Sequence, residues 1–511
     1  MGAFSNFAVS FTIISILSGC LTLFGFGMQV GGPASSAYGW PLVGIMVTFV
    51  SLAMAEICSS YPTAGGLYYW AAKVAPKNGP AWAWFTGWFN LLGQLGITAG
   101  IDFGFAAFFC AFLHIAFSVE VTRLILVGAY TGVLAVHGLM NTFGIKLVAR
   151  LNDISVWWHV AGVLIIFVVL FVKPDQHTSF ATIYSFSKTP SSPDQVAGFI
   201  NGTGFTNGLF GSTIYVFLIG MLLAQYTLTG YDASAHMTEE TTKADVSGPN
   251  GIWRSVVVSV IFGYILLIGV WYAMQGSAGY SNALAFQTQT SSIAAPAQIF
   301  LDAVGKSTTI FLMLIVVVAQ FFCGMASVTA NSRMIYAFSR DGAIPGSRYW
   351  HKINKRTRTP TNSIWFAAVG AWLVVAPAYW LGSVTAYFAA TAIAVIGLYI
   401  AYVIPTYLRL RAGDAFKPGP WNLGKWSKLV GWIAVIWVLF ICIVLMMPQF
   451  SPGGFGLKVI DELNYAPIAV GVVMGYAGIY WLVSARKWFK GPKVMGSAEE
   501  LRAIEHDLEV V

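Results

Sequence analysis

Apolar residues follow one another along this chain in runs of about twenty, and polar, proline and glycine positions gather between the runs. A run of that length, folded as an α-helix, spans the hydrocarbon core of a bilayer, which is about 30 Å thick. The pattern therefore predicts an all-α polytopic membrane protein with about 12 transmembrane helices. The third, sixth and eighth runs are too long for a perpendicular span, which indicates tilt, a break or an extension beyond the membrane. The runs lie near residues 7–28, 40–60, 82–113, 121–140, 153–172, 207–238, 254–275, 306–338, 362–380, 384–408, 429–447 and 465–485.

Two of the runs lose their apolar character near the middle. The interruption in the first run falls on Ser18, Gly19 and Cys20, and that in the sixth on Thr229 and Gly230. Each interrupted run opens a set of five, over about 7–172 and 207–408. Interruptions at matching positions of two halves are the best sequence indication of an inverted repeat with a central binding site. The sequence thus predicts one membrane domain over 1–490, two helices outside the repeat over 429–485, and a cytosolic tail over 491–511.

The first interruption offers groups that can bind an anion. Gly19 tolerates backbone conformations that a helix does not, so the chain at Ser18, Gly19 and Cys20 is predicted to unwind. Freed N–H groups at a helix terminus can hold a carboxylate. A simpler interpretation is that Gly19 only lets two helices pack closely, as small residues often do in membranes. We favour binding because a second interruption accompanies the first.

The sixth run offers the complementary groups. If it unwinds at Thr229 and Gly230, the backbone carbonyls of Tyr226, Thr227 and Thr229 can accept hydrogen bonds from a substrate amine. Tyr226 is placed either as an aromatic gate or as an ordinary packed aromatic. Asp232 precedes the next polar loop by several residues, and an ionisable residue at such depth indicates function. It could face a cationic substrate group, cycle a proton, or pair with a neighbouring helix.

Two further ionisable residues are predicted at membrane depth. Asp102, in the third run, is either an acid hydrogen-bonded between helices or a part of ion coupling. His159, in the fifth run, could be a packed histidine, yet histidine titrates near neutral pH and can couple proton binding to conformation. Residues at the predicted inner helix ends form either gating pairs or solvated anchors. These are Glu56, Glu239, Glu240, Asn331, Arg333, Arg340 and Asp341.

Composition and charge agree with a membrane protein. Of the 511 residues, 57% are hydrophobic and 9% are charged, whereas soluble domains carry roughly a quarter charged residues. The net charge is +8, and a cytosolic N-terminus leaves only five of the 28 Lys and Arg residues outside. Because basic residues concentrate on the cytosolic side, this distribution requires no nucleic-acid partner. It predicts a plasma-membrane protein with both termini cytosolic. The five outer residues are Arg123, Lys173, Lys188, Lys306 and Lys458.

Other function classes lack their motifs. The five cysteines lie in apolar runs without CxxC spacing, so neither a zinc site nor a disulfide framework is predicted. No HExxH or serine–histidine arrangement indicates an enzyme, and no metal or cofactor is predicted. A channel would need a continuous polar lining, whereas these runs carry isolated polar residues. A membrane sensor that does not transport stays open from the sequence.

Five motifs resemble the amino acid–polyamine–organocation permeases. GGP at 31–33 and AEICSSYPTAGGLYYW at 55–70 are similar to the superfamily as a whole. TGW at 86–88, GYDASAHMTEE at 230–240 and SRDGAIP at 339–345 resemble its amino acid–choline branch. The resemblance runs from the first helix to at least the tenth. It implies a permease of twelve helices with two inverted five-helix repeats, and a substrate held between helices one, three, six and eight.

The resemblance also implies roles for individual residues. The family's carboxylate-binding turn corresponds to Ser18, Gly19 and Cys20. An aromatic gating position corresponds to Tyr226, and an acid that some relatives carry near the substrate amine corresponds to Asp232.

The expected coupling ion is the proton. His159 falls where proton-driven relatives place a lysine, seven residues after Asn152, and histidine has a much lower reference pKa than lysine. Sodium coupling would need oxygen ligands from helices one and eight. Ser327 and Thr329 are candidates but are not adjacent, and a basic group at position 159 would compete with a nearby cation.

The sequence therefore predicts a secondary active transporter for amino acids or related amino compounds such as γ-aminobutyrate. Proton symport with alternating access is the expected mechanism. Exchange of one amino compound for another, and transport of choline or polyamines, are the alternatives. The expected partners are the small-molecule substrate, the proton and the lipid bilayer, and the sequence does not indicate an oligomeric state.

Overall fold

The computed structural model of the chain describes residues 1–63, 65–187, 192, 195–196, 213–290, 293–380, 386–448 and 464–492. These residues form helices joined by turns and loops, which confirms the predicted fold class. The predicted tail lies outside the described residues except for positions 491 and 492. We number the principal helices α1 Ala3–Ile14, α2 Ile16–Thr22, α3 Phe24–Gln29, α4 Trp40–Ser60, α5 Gly66–Val74, α6 Gly79–Phe117, α7 Arg123–Phe143, α8 Ile145–Val172, α9 Thr213–Gly220, α10 Leu222–Thr227, α11 Ala233–His236, α12 Ala244–Tyr272, α13 Gly276–Gln289, α14 Ala295–Val304, α15 Lys306–Arg340, α16 Thr361–Trp380, α17 Ala386–Ala412, α18 Ser427–Met446 and α19 Ala466–Tyr480.

Eleven helical stretches of the described residues are long and apolar enough to cross a membrane. They correspond in order to eleven of the twelve predicted runs. The sixth run is present from Thr213 onward as the shorter helices α9, α10 and α11, and residues 207–212 lie outside the described part. The third and eighth runs are single helices of 39 and 35 residues. At 1.5 Å per residue these helices exceed the bilayer core of about 30 Å, so they tilt or project beyond it.

The first run is broken at Ser15 and not at residues 18–20. Ser15 has φ of 34°, in the left-handed region that serine seldom adopts, and it separates α1 from α2. Ser18, Gly19 and Cys20 lie inside α2, so the predicted unwinding at these three residues is wrong. The physical reason is that both backbone groups of Gly19 are hydrogen-bonded within the helix, its N–H to the Ser15 carbonyl at 2.9 Å and its carbonyl to the Leu23 N–H at 3.2 Å. Its missing side chain serves close packing against another helix instead.

The sixth run is broken where the sequence predicts. Helix α10 ends at Thr227, residues 228–232 are not helical, and Gly230 has φ of 96°. Glycine has no Cβ and so adopts this conformation without strain. The hydroxyl groups of Thr227 and Thr229 donate to the carbonyls four residues earlier, each at 2.7 Å, a bond that tends to bend helices.

The two broken segments lie in the centre of the helix bundle. In the most apolar 18-residue stretch of the span Ala3–Thr22, 83% of the residues are buried. The corresponding share in Ala466–Trp488 is 17%. Helix α2 packs on α10, and the long helices α6, α15 and α17 surround them. The chain thus places its interrupted helices away from lipid, where neighbouring helices can satisfy the freed backbone groups.

Successive spans alternate in direction, which defines two faces of the bundle. We call the face where α1 begins the N-terminal face. Helix α5 and the C-terminal ends of α4, α15 and α17 also lie there. Helices α13 and α14 lie on the opposite face, where the Tyr280 hydroxyl donates to the Met28 carbonyl at 2.9 Å. Helix α13 therefore covers the continuation of the first broken helix.

Candidate substrate site at the two helix breaks

The break at Ser15 exposes backbone groups of both polarities. The Ser15 carbonyl accepts hydrogen bonds from the N–H groups of Ser18 and Gly19 at 2.8 and 2.9 Å, and these bonds close the first turn of α2. Ile16 and Leu17 are the first residues of α2, so their N–H groups are donors that have no acceptor within the helix. On the other side of the break, the Ile13 carbonyl accepts the Cys323 thiol of α15 at 3.2 Å.

His159 is bonded directly to this break. Its Nδ1 lies 2.7 Å from the Ser155 carbonyl and its Nε2 lies 2.7 Å from the Ser15 hydroxyl. A carbonyl only accepts, so Nδ1 carries a proton, and Nε2 is the atom that can gain or lose one. The imidazole is fully buried. The candidate coupling residue of the fifth run is therefore brought to the first break, a contact that the sequence did not indicate.

The two broken helices touch through Gly19 and Thr227. A Cβ built on Gly19 would lie 2.5 Å from the Thr227 hydroxyl oxygen, so no side chain fits there. The adjacent Cys20 thiol also lies within hydrogen-bonding range of Thr227. This geometry favours the packing interpretation of Gly19. It also means that Gly19 and Cys20 lie at the contact between α2 and α10, whereas the Ser18 side chain lies within hydrogen-bonding range of Cys323 of α15.

The second break is held by tyrosines of α17. The Tyr399 hydroxyl donates to the Leu228 carbonyl at 2.5 Å, and the Gly230 N–H donates to the Tyr402 hydroxyl at 3.3 Å. Both tyrosines are fully buried. The unwound backbone predicted for the sixth run is therefore present, but α17 already satisfies part of it. Sequence reasoning missed these tyrosines because α17 reads as an ordinary apolar helix.

Tyr226 lies between α10, α6 and α17. Its hydroxyl group lies 2.4 Å from the position that a Cβ on Gly100 would take, and it faces the Tyr387 hydroxyl. Only 3% of Tyr226 is exposed. The ring thus fills the space beside the breaks, next to a glycine that leaves room for it. This position is compatible with the predicted gate, although the ring is equally well packed as a core aromatic.

Asp232 is the centre of a buried polar layer that lies between the second break and the N-terminal face. Its carboxylate accepts hydrogen bonds from Gln94 of α6 at 2.9 Å and from Tyr402 of α17 at 2.7 Å. His236 Nε2 lies 3.3 Å from the same carboxylate, one turn further along. Asp232 is fully buried. Among its three predicted roles, pairing with neighbouring helices is the one present in this conformation.

A hydrogen-bonded chain continues this layer into α15. The Asn331 side-chain amide donates to the Gln94 carbonyl at 3.0 Å and to the Thr98 hydroxyl at 3.1 Å. The Thr98 and Ser327 hydroxyls are 2.8 Å apart. Thr329, in contrast, turns towards α7 and donates to Asn141. Asn331 was predicted at a helix end, but it is a buried link between α6 and α15.

Asp102 pairs with a histidine that the sequence did not connect to it. Its carboxylate lies 2.8 Å from His137 Nδ1 of α7, and both side chains are fully buried. Gly324 of α15 packs against the pair, since a Cβ there would lie 2.3 Å from the carboxylate. The structure does not bring Asp102 into contact with His159. The acid is therefore paired with a neighbouring helix in this conformation, and its part in ion coupling stays a prediction.

Charged residues on the N-terminal face form ion pairs. Arg333 lies 2.8 Å from Glu240, and Arg340 lies 3.7 Å from Asp341. The Tyr68 hydroxyl of α5 donates to Asp341 at 2.6 Å. A cavity of about 190 Å³, which we call the N-terminal-face cavity, opens beside these pairs. Its polar lining includes Asn141, His236, Glu239, Glu240, Ser332, Arg333, Tyr336, Arg340, Arg358 and Thr359.

Glu56 belongs to a different cluster on the same face. Its carboxylate lies 3.1 Å from Arg409 Nε of α17 and accepts the Leu423 N–H at 3.3 Å and the Ser427 hydroxyl. Glu56 is 2% exposed. The residue therefore fastens the start of α18 to the ends of α4 and α17. Among the described residues, no group of three or more His, Cys, Asp and Glu side chains is arranged to hold a metal ion.

Comparisons with known proteins agree with this architecture. The profile of the amino acid permease family matches residues 2–474. The chain is 40% identical to amino-acid permease BAT1 of Arabidopsis thaliana, over 96% of this chain and 93% of that protein. It is 30% identical to the GABA-specific permease of Saccharomyces cerevisiae, over 95% of this chain and 81% of that one. A putative polyamine transporter of Candida albicans is 26% identical, over 97% and 86% of the respective chains.

The profile covers nearly the whole chain, and the relatives align over most of their own length. Helices broken in the middle, stacked on each other and enclosed by long spans, are the architecture that secondary transporters use to bind a substrate at the bilayer midplane. The chain is a transporter and not an enzyme, and it belongs to the amino acid permease family of the amino acid–polyamine–organocation superfamily.

Proposed function

We propose that this permease imports an amino acid or a related amino compound across the plasma membrane by proton symport. The observation that carries the proposal is the hydrogen bond between His159 and Ser15. A titratable side chain, fully buried, contacts the residue at which the first helix breaks. Protonation of Nε2 would turn Ser15 from donor to acceptor in that bond, so the charge of His159 and the geometry of the break are coupled.

The substrate is proposed to lie between the two breaks. Its carboxylate would face the N–H groups of Ile16 and Leu17, where the positive end of the α2 dipole lies. Its amine would face the carbonyls of Tyr226, Thr227 and Thr229 at the end of α10. A compound with both charges fits this pair of ends. The names of two relatives, a GABA-specific permease and a putative polyamine transporter, widen the class to amino compounds in general.

Proton coupling is favoured over sodium coupling by the placement of two hydroxyls. Ser327 faces Thr98 of α6, whereas Thr329 donates to Asn141 of α7. A sodium site needs several oxygen atoms around one point. The two candidate ligands turn to different helices, so they do not form such a site together.

The N-terminal face is proposed to be cytosolic. Arg333, Arg340, Arg348, Arg358 and Arg409 all lie at helix ends or loops on this face. The positive-inside distribution favours that orientation and puts both termini in the cytosol. The Asp232 layer and the ion pairs of Arg333 and Arg340 would then close the path to the cytosol in this conformation.

Uptake into proteoliposomes tests the proposal. Radiolabelled γ-aminobutyrate, putrescine, choline, and neutral and basic amino acids are each supplied outside, with and without an inward proton gradient. We expect uptake of at least one amino compound, accelerated by the gradient and indifferent to sodium. His159→Ala should retain the fold and lose the acceleration. The control is His114→Ala, in the last turn of α6, which should keep the acceleration. Acceleration that persists in His159→Ala would exclude His159 as the coupling residue.

A further inference from the structure

A basic segment, which we define as residues 347–356, joins α15 to α16 on the N-terminal face. The sequence contains no Asp or Glu from position 342 to position 413, so no neighbouring acid in the chain offsets its charge. Its exposed cations are Arg348, Lys352, Lys355 and Arg356. Among the described residues, none of these four forms an ion pair. The segment therefore presents uncompensated positive charge to its surroundings.

Contacts with α16 fix the height of the basic segment relative to the membrane. The Asn362 side-chain amide donates to the Tyr349 carbonyl at 2.6 Å, and the Ser363 hydroxyl donates to the Trp350 carbonyl at 2.7 Å. Helix α16 has 20 residues and is thus about 30 Å long, which matches the hydrocarbon core. Its first turn therefore lies where acyl chains meet headgroups, and it holds the basic segment at that level.

The basic segment also lies at the end of an apolar stripe of α16. Phe366, Val369 and Leu373 follow one another at helical spacing, and the last two are more than half exposed. The Trp350 ring packs on Phe366, with ring centroids 4.8 Å apart. Exposed apolar side chains of a spanning helix contact acyl chains, so a lipid that lies along this stripe brings its headgroup to the basic segment.

Tyr349 gathers two of the cations at this place. Its ring is half exposed, and the Arg348 guanidinium carbon and the Lys352 Nζ lie 4.8 and 5.5 Å from the ring centroid. Arg348 also donates to the Tyr349 hydroxyl at 2.9 Å. Tyrosine is enriched at membrane interfaces, where its ring lies among headgroups. Arginine and lysine both form charge-assisted hydrogen bonds with phosphate oxygens.

The loop that follows these cations is held in place by hydrogen bonds. The Asn354 N–H donates to the Thr359 carbonyl at 2.9 Å, and the Arg358 N–H donates to the Asn354 carbonyl at 2.7 Å. The Thr359 hydroxyl donates to the Thr142 carbonyl of α7 at 3.1 Å. A structured loop loses little conformational freedom when a ligand binds, which favours affinity.

We propose that the basic segment binds the headgroup of an anionic phospholipid. Arg348 and Lys352 contact its phosphate, and its acyl chains lie along the stripe of α16. The enrichment of basic residues on the cytosolic side accounts for positive charge in this loop. It requires neither the packing on α16 nor two cations beside one interfacial ring. The binding is independent of the proposed proton symport.

Lipid retention by the purified full chain tests the site without any transport. The protein in mild detergent is incubated with radiolabelled phosphatidylglycerol, and the lipid that co-elutes in gel filtration gives the affinity. Unlabelled competitors are phosphatidylserine and phosphatidylcholine with the same acyl chains, and glycerol phosphate, which lacks chains. Arg348→Gln/Lys352→Gln removes both cations. Lys146→Gln/Arg150→Gln removes the same two residue types at exposed positions near the start of α8 and is the matched control.

We expect phosphatidylserine to displace the label and phosphatidylcholine to leave it bound. The affinity should fall about thirtyfold in Arg348→Gln/Lys352→Gln, at about fivefold per cation, and stay unchanged in the control. Equal losses in both variants would overturn the inference, because any exposed basic pair would then suffice. Displacement by glycerol phosphate as effective as that by phosphatidylserine would identify a site for soluble anions and overturn it too.

Two further variants separate charge from folding. Arg348→Lys/Lys352→Arg keeps both charges and should keep the affinity within about fivefold. If Arg348→Gln/Lys352→Gln fails to fold, Lys352→Gln alone should lower the affinity about fivefold, and an unchanged affinity would overturn the inference.

Discussion

The residue that breaks the first helix is a serine in a conformation typical of glycine, and this choice has a consequence for coupling. Ser15 adopts φ of 34° and simultaneously offers its hydroxyl to His159. A non-glycine residue with positive φ is uncommon and stays there only when its surroundings hold it. The hydrogen bond to His159 therefore helps to hold Ser15 in its strained conformation. A substitution that keeps the conformation and removes the hydroxyl separates the two effects.

Ser15→Gly is predicted to fold and to uncouple. Glycine adopts the left-handed conformation without strain, so the break should persist, while the bond to His159 is lost. We expect uptake that no longer accelerates with an inward proton gradient, as in His159→Ala. The measurement is uptake at matched protein amounts, with and without the gradient. Ser118→Gly, at an exposed serine that also has positive φ (58°), is the matched control, and equal loss of acceleration in both would contradict this role for Ser15.

The pair of Asp102 and His137 is predicted to support the fold. Removing one partner of a buried polar pair leaves the other unsatisfied, which typically costs about 1–3 kcal/mol. Asp102→Ala and His137→Ala should each lower the unfolding temperature in detergent. The double variant should lose much less than the sum of the two single losses, because it leaves no unsatisfied partner behind. Additive losses, measured by thermal unfolding of all four proteins, would mean that the residues act separately.

At the scale of elements, the sequence predicted the spans and the second break but misplaced the first. Thr229 and Gly230 interrupt an apolar run with polar groups and a flexible residue, so the break could be found there. Gly19 gave the same signal for another reason, because it packs against Thr227. Pairs between helices were out of reach: nothing local in the sequence joins Asp102 to His137 or Asp232 to Tyr402, which lie on different spans. The division into two repeats stays a prediction.

The cluster of Glu56 and Arg409 is predicted to anchor elements rather than to gate them. It fastens α4, α17 and the start of α18, and Arg409 also lies over the Phe416 ring at 4.9 Å. Arg409→Met strands a buried carboxylate, so we expect a loss of about 3 kcal/mol in unfolding free energy. Glu56→Gln in the same chain should restore part of it. Uptake per folded molecule should stay near that of the unaltered protein, and a selective loss of uptake at unchanged stability would identify a gate instead.

At the scale of the molecule, different contacts join the helices on the two faces. On the N-terminal face they are ion pairs and the hydrogen bonds of the Asp232 layer, which depend on charge. On the opposite face α13 and α14 pack over α3, where a Cβ on Gly25 would lie 2.1 Å from the Gln287 side-chain oxygen and 3.3 Å from the Ala295 Cβ. If transport proceeds by alternating access, α3 must separate from α14 whenever the opposite face opens.

A disulfide between positions 25 and 295 should therefore stop transport. The Cβ separation of 3.3 Å is close to the roughly 3.5–4.5 Å of disulfides, and Gln287→Ala clears the space for the new side chain. The five native cysteines are buried and unpaired, so they should stay silent. In Gly25→Cys/Ala295→Cys/Gln287→Ala, we expect oxidation to abolish uptake and a reductant to restore it. The single-cysteine variants should be insensitive to both. Uptake that continues with the cross-link formed would show that the substrate reaches the site without movement of α3.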